Sequence, residues 1–326
     1  MTRPRAVALT IVLSLNVILS LSKDAPQAAQ AAEAKPVPSV LVSTPSFLIY
    51  AEGDRRRPAV GGSLAGGYRI IGTTPDGSAL VTYDDGFAQI VATVSPSLRP
   101  RTLKLFSRGT LVFRAVDGFL AVEPISQLLR RYDANGNVVG TPFLPLGIAE
   151  ALGVGDSVVV LTTDNRLRVY DRGGRVRKEQ TMRANSLVPL PDGRFAVNDL
   201  TDNEVRAYTS DLEQTATLRY VGLPARMLAS APDGTLIVLA GTPSCVTSNA
   251  EIDVFTDLHA QPAARIHEGI TLPTALAVSA DFVYVANAPC RSGEDGSVTA
   301  IARADKTSTV LRQVGTPNAV VPFTAK

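Results

Sequence analysis

The sequence predicts an all-β fold, a seven-bladed β-propeller of four-stranded antiparallel blades whose ring is closed by pairing of N- and C-terminal strands. Three observations predict it. Short apolar segments recur with a period of about 40 residues, turn-forming residues separate them, and the N-terminal repeat lacks a strand that the C-terminus supplies. Six blades with an added N-terminal hairpin is the alternative count.

Composition excludes two broad classes of protein. The 326 residues include 32 Lys plus Arg against 30 Asp plus Glu, and 45% are hydrophobic. A chain so apolar and nearly neutral is not intrinsically disordered, and it lacks the clustered basic surplus of a nucleic-acid binder. We therefore expect no nucleic-acid partner. Aromatic residues make up only 6%, whereas 25 Gly and 22 Pro are typical of many short strands joined by turns.

Residues 1–34 are typical of a secretion signal. Arg3 and Arg5 precede an apolar run at 6–21, and small residues at 32–34 form an A-x-A cleavage site. Residues 29–31 are an alternative site, and an uncleaved anchor is the structural alternative. We expect a single propeller domain at 35–326, periplasmic or secreted, with no transmembrane segment in the mature chain.

Two series of residues measure the repeat. An acidic turn precedes an apolar strand at intervals of 36 to 48 residues, at Asp76, Asp117, Asp156, Asp192, Asp233 and Asp281. A bulky residue late in a following strand recurs every 38 to 47 residues, at Tyr50, Val91, Tyr132, Tyr170, Tyr208, Phe255 and Ile301. A unit of this length holding four strands is typical of a propeller blade.

The clearest unit shows how the four strands are placed. We expect its strands at 186–190, 194–198, 204–208 and 215–219, with Asp192-Gly193 as the first turn. In the two preceding units, Asn135-Gly136 and Gly173-Gly174 provide the positive φ that hairpins need between the third and fourth strands.

The ends of the chain complement each other. Residues 39–43 are expected to form a second strand and 47–55 a third strand with its hairpin, so this blade has no first strand upstream. Residues 315–321 resemble the start of another blade at 222–228. The C-terminal strand would complete the split blade and cover two free sheet edges.

The repeats resemble known families. Residues 282–287 (FVYVAN) followed by Gly296-Ser297-Val298 resemble the YVTN-type propeller repeat, and 191–193 through Val205 are similar to an NHL-type blade. These families include binding scaffolds, sugar-lactone hydrolases and quinoprotein-like enzymes. The resemblance therefore implies the fold and does not decide the function.

The two cysteines follow equivalent strands of neighbouring blades. Cys245 and Cys290 are 45 residues apart, about one period, so their loops are expected to lie side by side. In an oxidising compartment they would form a disulfide. Two free thiols or a redox-active pair are the alternatives.

No catalytic, metal or cofactor site is predicted. The chain has only His259 and His267, and it lacks a haem-attachment motif, a G-x-S-x-G elbow and a phosphate loop. Most acidic residues fall in the repeating turns, where turn formation explains them. We therefore lean away from an enzyme.

One enzyme class stays open as the alternative. Asn185-Ser186-Leu187 resembles the N-G-L segment of the gluconolactonase/regucalcin family, which implies a divalent cation that polarises a lactone carbonyl. The next blade departs from that family, since Ala225 stands where it places a ligand Asp and Arg226 adds a positive charge. No E-G-P segment occurs upstream.

The leading function is a binding or scaffold module that works through the loop face at one end of the central channel. The partner would be an unidentified protein or small molecule. Polar residues that begin first strands or end second strands should converge there and bind it: Asn185, Asn198, Asp199, Arg226, Thr274, Asn287 and Asn318.

Overall fold

The computed structural model describes residues 36–61, 67–145, 147–220, 223–246 and 249–325. Residues 36–326 form one compact unit. The predicted signal segment lies outside the described residues. Within them, no helix is long and apolar enough to cross a membrane.

The described chain is an all-β propeller built of four-stranded antiparallel runs of strands. The first run contains β28 (Ala319–Pro322), β1 (Ser39–Ser43), β2 (Phe47–Glu52) and β3 (Arg55–Gly61). The second contains β4 (Tyr68–Thr73), β5 (Ala79–Asp84), β6 (Ala88–Val94) and β7 (Pro100–Ser107).

The next two runs are consecutive in the chain. One contains β8 (Leu111–Ala115), β9 (Gly118–Val122), β10 (Leu129–Asp133) and β11 (Val138–Phe143). The other contains β12 (Ile148–Val154), β13 (Ser157–Thr162), β14 (Arg166–Tyr170) and β15 (Val176–Thr181).

Three further runs complete the chain. They contain β16 (Ala184–Pro189), β17 (Phe195–Asp199), β18 (Glu204–Tyr208) and β19 (Gln214–Arg219), then β20 (Ala225–Ser230), β21 (Leu236–Ala240), β22 (Glu251–Phe255) and β23 (Ala264–Ile266). The last contains β24 (Pro273–Val278), β25 (Phe282–Asn287), β26 (Ser297–Ala302) and β27 (Ser308–Leu311).

The sequence predicted seven blades, but the described strands form six sheets. Five four-stranded blades are separate sheets, and the remaining eight strands, β8 to β15, form a single sheet. One parallel bridge, between Gly153 of β12 and Ala115 of β8, joins its two halves. A Cβ at Gly153 would lie 2.6 Å from the Cβ of Ala115, so this close approach depends on glycine.

The first and last strands of the described chain meet in one sheet. β28 pairs antiparallel with β1, with Leu41 opposite Val321 and Val42 opposite Val320. Strand β28 also contacts β24 and β4, the first strands of the runs on either side. First strands of all successive runs touch in the same way: β4 and β8, β8 and β12, β12 and β16, β16 and β20, β20 and β24.

Turn residues that adopt positive φ explain where several strands end. Gly136 and Gly174 have φ of 85° and 77° in the hairpins between third and fourth strands, a region that favours glycine. At the first turn of the clearest unit, Asp192 and Gly193 both have positive φ. The strand predicted at 204–208 is observed with those bounds as β18, and β1 has the bounds predicted for 39–43.

The apolar core lies between neighbouring sheets. One cluster joins residues of β16–β19 to residues of β20–β23, with Ala196 and Val238 fully buried. Another joins β24–β27 to the first run, through Tyr284, Val42 and Val320. Each blade therefore buries both faces against its neighbours, which explains the continuous apolar runs of the second strands.

Candidate functional site

Because neighbouring strands are antiparallel, the loops that lead into first strands and the loops that follow second strands lie at the same end of the blades. First strands begin, and second strands end, at the end that we call the loop face; the turns between first and second strands lie at the opposite end. All seven residues predicted to bind a ligand lie at or near the loop face. The structure uses several of them to connect neighbouring blades.

Asn185 and Asn198 contact each other directly. They are opposite residues of β16 and β17, and Asn198 Nδ2 donates a 2.7 Å hydrogen bond to Asn185 Oδ1. The same Nδ2 group donates to the carbonyl oxygen of Ala225 in the next blade, at 2.8 Å. Asn198 is fully buried, and its Oδ1 makes no hydrogen bond within the described protein. Asn185 is exposed, so it is the member of the pair that a ligand could reach.

Asp199 is buried and paired. Arg206 Nη1 lies 3.0 Å from its Oδ2, and the backbone N–H of Thr201 donates to Oδ1 at 2.9 Å. Both oxygens are thus engaged within one blade, where they hold the turn after β17.

Asn287 and Thr274 connect the last blade to its surroundings. Asn287 is buried; its Oδ1 accepts from the backbone N–H of Thr271 at 3.0 Å, and its Nδ2 donates to the Gly269 carbonyl at 3.0 Å. Thr274 Oγ1 donates to the Pro317 carbonyl at 2.7 Å, across to the segment that leads into β28.

Arg226 and Asn318 are exposed at the loop face. Arg226 Nε donates to the Gly241 carbonyl at 2.7 Å, and the residue is exposed. Asn318 accepts a hydrogen bond from the Ser43 hydroxyl and donates to the Tyr68 carbonyl at 3.2 Å. The ligand-binding role of these residues stays a prediction, and exposure favours Asn185, Arg226 and Asn318 for it.

A repeated β-bulge shapes this face, which sequence reasoning missed. The register shifts by one residue near the start of five first strands, at Ile70/Gly72, Ile148/Glu150, Asn185/Leu187, Ala225/Met227 and Pro273/Ala275. In two of them the extra residues are Arg226 and Thr274. A bulge turns such a side chain out of the regular alternation, and this places both residues at the loop face.

Glu150 is a second residue that sequence reasoning missed. It is the third residue of β12, directly after the bulge, and its Oε1 accepts from the backbone N–H of Leu187 at 3.1 Å. Burial raises the pKa of the Glu150 carboxyl, while that hydrogen bond and the charge of Arg69 act in the opposite direction. The run I-A-E-A-L offered no pattern by which this residue could be singled out.

The predicted disulfide is present. Cys245 and Cys290 are bonded, with their Cα atoms 5.7 Å apart, and they join the loop between β21 and β22 to the loop between β25 and β26. The alternatives of free thiols therefore do not describe this structure.

Exposed apolar side chains project from the loops of this face. Phe87 is 91% exposed, Ile125 90% and Val246 90%, and each lies between the second and third strands of a different blade. Two more exposed apolar residues lie at the same end of other blades: Leu200 directly follows the second strand β17, and Phe47 is the first residue of the third strand β2. We call these five the loop-tip residues: Phe47, Phe87, Ile125, Leu200 and Val246.

A cavity of about 430 Å³ lies along the first strands. Its walls are mostly aliphatic, and one charged side chain, that of Arg114, lines it. The residues that line it include the ends of first strands, Thr73 and Ser230, and the turn residue Pro232. It therefore extends toward the end opposite the loop face.

A larger groove, about 1240 Å³, lies between the outer strands of two blades, β18–β19 and β22–β23. Its carboxylates are paired: Glu204 lies 2.9 Å from both Arg206 and Arg219, and Asp253 lies 2.9 Å from Arg265. The ion pair with Asp253 raises the pKa of Arg265. Since the charges satisfy one another, the groove has the chemistry of a structural ion-pair network.

The described residues contain no group of three or more His, Cys, Asp or Glu side chains placed to hold a metal ion. His259 is near this groove, and His267 Nδ1 lies 3.8 Å from Glu251. The two histidines are on the outer part of one blade, away from the cavity along the first strands.

Comparison with known proteins identifies the fold. No family model matches the chain, and no curated protein matches it. A protein from Lactobacillus plantarum of solved structure is 14% identical, with a TM-score of 0.58 over 87% of this chain and 99% of that one.

Two other solved structures are similar. Apo AztD from Citrobacter koseri is 9% identical, with a TM-score of 0.53 over 87% of this chain and 97% of that one. BamB from Moraxella catarrhalis is 12% identical, with a TM-score of 0.50 over 86% and 89%. At such identities the likeness shows a β-propeller fold and no shared activity.

Proposed function

We propose that this chain is an extracytoplasmic β-propeller that acts as a binding or scaffold module, and that a partner protein docks on its loop face. The observation that carries the proposal is the set of loop-tip residues. Five different blades each present an apolar side chain to solvent at the same end, where soluble proteins usually place polar turn residues.

The loop tips have the features of a protein-docking surface. Apolar and aromatic side chains surrounded by polar ones are enriched at the centres of interfaces. Here Asn185, Arg226 and Asn318 provide exposed polar groups on the same face. The disulfide between Cys245 and Cys290 holds two of its loops together, so less conformational entropy is lost when a partner binds.

A closed seven-bladed ring is the finer architecture that we propose. Its support is the pairing of β28 with β1 and the contacts of first strands in cyclic order, from β4 through to β28 and back to β4. The eight-stranded sheet would then count as two blades held by the single bridge between Gly153 and Ala115. In this arrangement the loop face surrounds one mouth of the channel.

Export is the second finer part of the proposal. The disulfide supports it, because such bonds persist in oxidising compartments. The N-terminal signal pattern supports it as well, with cleavage near Ala34. Membership of the YVTN or NHL repeat families rests on the quoted motifs alone.

The lactone-hydrolase alternative gains no observation in its favour. Asn185 Oδ1 accepts a hydrogen bond from Asn198, and the neighbouring blade provides the backbone of Ala225 and the cation Arg226 in place of a carboxylate. Calcium titration followed by calorimetry tests it: saturable binding that is lost in Asn185→Ala would revive the hydrolase.

The docking proposal is tested by capture of partners from the envelope or secreted fraction of the native organism. The bait is the purified protein, compared with a variant that has serine at Phe87, Ile125 and Val246. A matched control has serine at three valines of the opposite end, each about half exposed: Val116, Val138 and Val176.

We expect the wild type and the control to retain the same partner, and the loop-tip variant to retain at least tenfold less. All three proteins should melt within about 2 °C of one another, since exposed apolar side chains contribute little to stability. Equal capture by the loop-tip variant, or loss only in the opposite-end control, would overturn the proposal.

A further inference from the structure

Arg114 occupies an unusual position for a charged side chain. It is the fourth residue of β8 and lines the cavity along the first strands, among aliphatic residues that include Ile71, Leu228 and Val278. Its stem passes the backbone of Gly72, where a Cβ would lie 3.6 Å from Arg114 Cγ and 3.7 Å from Nε. The side chain is solvent-accessible, and it lines the cavity.

The charge of Arg114 has no partner among the described residues. Other arginines of the propeller are paired: Arg131 with Asp117 at 2.7 Å, and Arg206 with three carboxylates. Around Arg114, no described carboxylate lies within 4 Å of its nitrogens, and no hydrogen bond to another described group satisfies them.

The protein around Arg114 also affects its ionisation, although the side chain is solvent-accessible. The surrounding protein lowers the pKa of Arg114, because it replaces water that would solvate the positive charge. The guanidinium group nevertheless keeps its proton at neutral pH. An anion that enters the cavity would pair with the guanidinium group and would meet no competing negative charge on the lining residues.

The cavity around this cation suits an apolar body. A volume of about 430 Å³ falls within the range of small-molecule sites, roughly 300–1,000 Å³. Its other lining residues are aliphatic or small, with the hydroxyls of Thr73, Ser230 and Ser279 as the polar side chains. A cavity with one cation and aliphatic walls suits a ligand that has one anionic group and a short hydrocarbon chain.

We propose that this cavity binds an aliphatic monocarboxylate, whose carboxylate pairs with the guanidinium group of Arg114 and whose hydrocarbon chain packs along the first strands. A carboxylate fits the planar, two-pronged donor set of arginine better than a single-atom anion does. The site extends toward the end opposite the loop face, since Arg114 is next to the last residue of β8. It therefore goes beyond the docking proposal, and either can fail without the other.

The test is calorimetric titration of the purified protein at neutral pH with octanoate, octan-1-ol and octylamine, which share one hydrocarbon chain and differ in charge. We expect saturable binding of one octanoate. Arg114→Met, which keeps the length and removes the charge, should weaken it at least tenfold. The matched control Arg291→Met, at a side chain 83% exposed in a loop, should not change it. Octan-1-ol should bind wild type and Arg114→Met alike, and octylamine should not bind.

Several results would overturn the proposal. They are an absence of octanoate binding by folded wild-type protein, equal octanoate affinity in Arg114→Met, or acetate binding as tightly as octanoate. The last result would show an anion site without a place for the hydrocarbon chain. If Arg114→Met does not fold, Arg114→Lys provides the comparison. It keeps the charge but loses the two-pronged geometry, so octanoate should bind several-fold more weakly than to wild type, and unchanged affinity would contradict the proposal.

Discussion

Glu150 shows how burial can outweigh the hydrogen bonds and the positive charge around a single side chain. Its carboxyl group is held at the start of β12 by a hydrogen bond from the backbone of Leu187, and burial is the largest influence on its pKa, which is raised. A carboxyl group whose pKa is higher in the folded than in the unfolded protein binds its proton more tightly when folded. Ionisation of Glu150 therefore opposes folding.

Glu150→Gln should stabilise the protein at neutral pH and should do so less as the pH falls. Above the raised pKa of the folded state, wild type bears the full cost of the buried charge, which the neutral amide avoids. As the pH falls toward the ordinary glutamate value of 4.5, wild type becomes protonated and the difference disappears. Urea unfolding at pH 7.5 and at pH 4.5 measures it.

The control is Glu268→Gln, at an exposed carboxylate, which should change stability by less than about 0.5 kcal/mol at either pH. An increase for Glu150→Gln that is the same at both pH values, or a decrease at pH 7.5, would contradict this account.

The sequence predicted where the polar site residues lie better than it predicted their hydrogen-bond partners. Asn185, Arg226, Thr274 and Asn318 were correctly expected at strand starts on one face, because turn spacing fixes where strands begin. Their hydrogen bonds to neighbouring blades could not be predicted, since these depend on distances between chain segments as remote as Asn318 and Ser43.

Arg114 was missed for a related reason. In L-V-F-R-A a charged residue inside a short strand is usually expected to face water, and the alternation of a strand does not distinguish bulk water from a channel. The exposure of Phe87, Ile125 and Val246 was missed likewise, because isolated apolar residues in loops carry no periodic signal.

At the scale of elements, turn chemistry located strands well. The unit with the Asp192-Gly193 turn predicted β18 with its observed bounds, and the similarity of 47–55 to 167–175 predicted β1 before it. The repeated bulges in the first strands were not predicted, because the extra residue does not change the apolar pattern that follows it. The bulges nonetheless place Arg226 and Thr274 at the loop face.

The disulfide joins elements of two neighbouring blades, and its removal should destabilise the protein. Cys245 and Cys290 close a loop of 45 residues, for which the chain-entropy model gives about 4 kcal/mol. We expect the double variant Cys245→Ala, Cys290→Ala to lose roughly 2–4 kcal/mol in the free energy of unfolding. Unfolding of oxidised wild type and variant in urea measures the loss.

Reduced wild-type protein is the matched control, and it should unfold like the double variant. Alkylation without reduction should label neither cysteine in wild type. Two labelled cysteines in the native protein, or an unchanged stability of the double variant, would contradict this role.

At the scale of the whole molecule, the architecture depends on one short C-terminal strand. β28 completes the sheet of β1 to β3 and contacts the first strands of the runs on either side. The single bridge that joins β8 to β12 was beyond sequence reasoning, because it depends on close packing of Gly153 against Ala115. The predicted repeat count and the observed sheet count differ for this reason.

Deletion of residues 315–326 should make the protein insoluble or lower its melting temperature by more than 10 °C. It removes β28 with the buried side chains of Val320 and Phe323, each worth roughly 1.5–3 kcal/mol of hydrophobic burial. It also leaves the edge of β1 without hydrogen-bond partners. That loss is comparable to the whole stability of a typical domain, roughly 5–15 kcal/mol.

The matched control deletes only residues 324–326, which follow Phe323, and should melt within a few degrees of wild type. Thermal unfolding followed by circular dichroism measures both. A melting temperature of the longer deletion within about 2 °C of wild type would show that β28 is dispensable and would contradict the closed ring.

Photo-crosslinking in the native organism is the direct test of docking on the loop face. A photoreactive residue is placed singly at Phe87, Ile125 or Val246, and in parallel at the opposite-end positions Val116, Val138 and Val176. The account predicts one and the same protein adduct from the three loop-tip positions and none from the opposite end. Adducts from the opposite end alone, or no adduct from any loop-tip position in folded, exported protein, would contradict docking on the loop face.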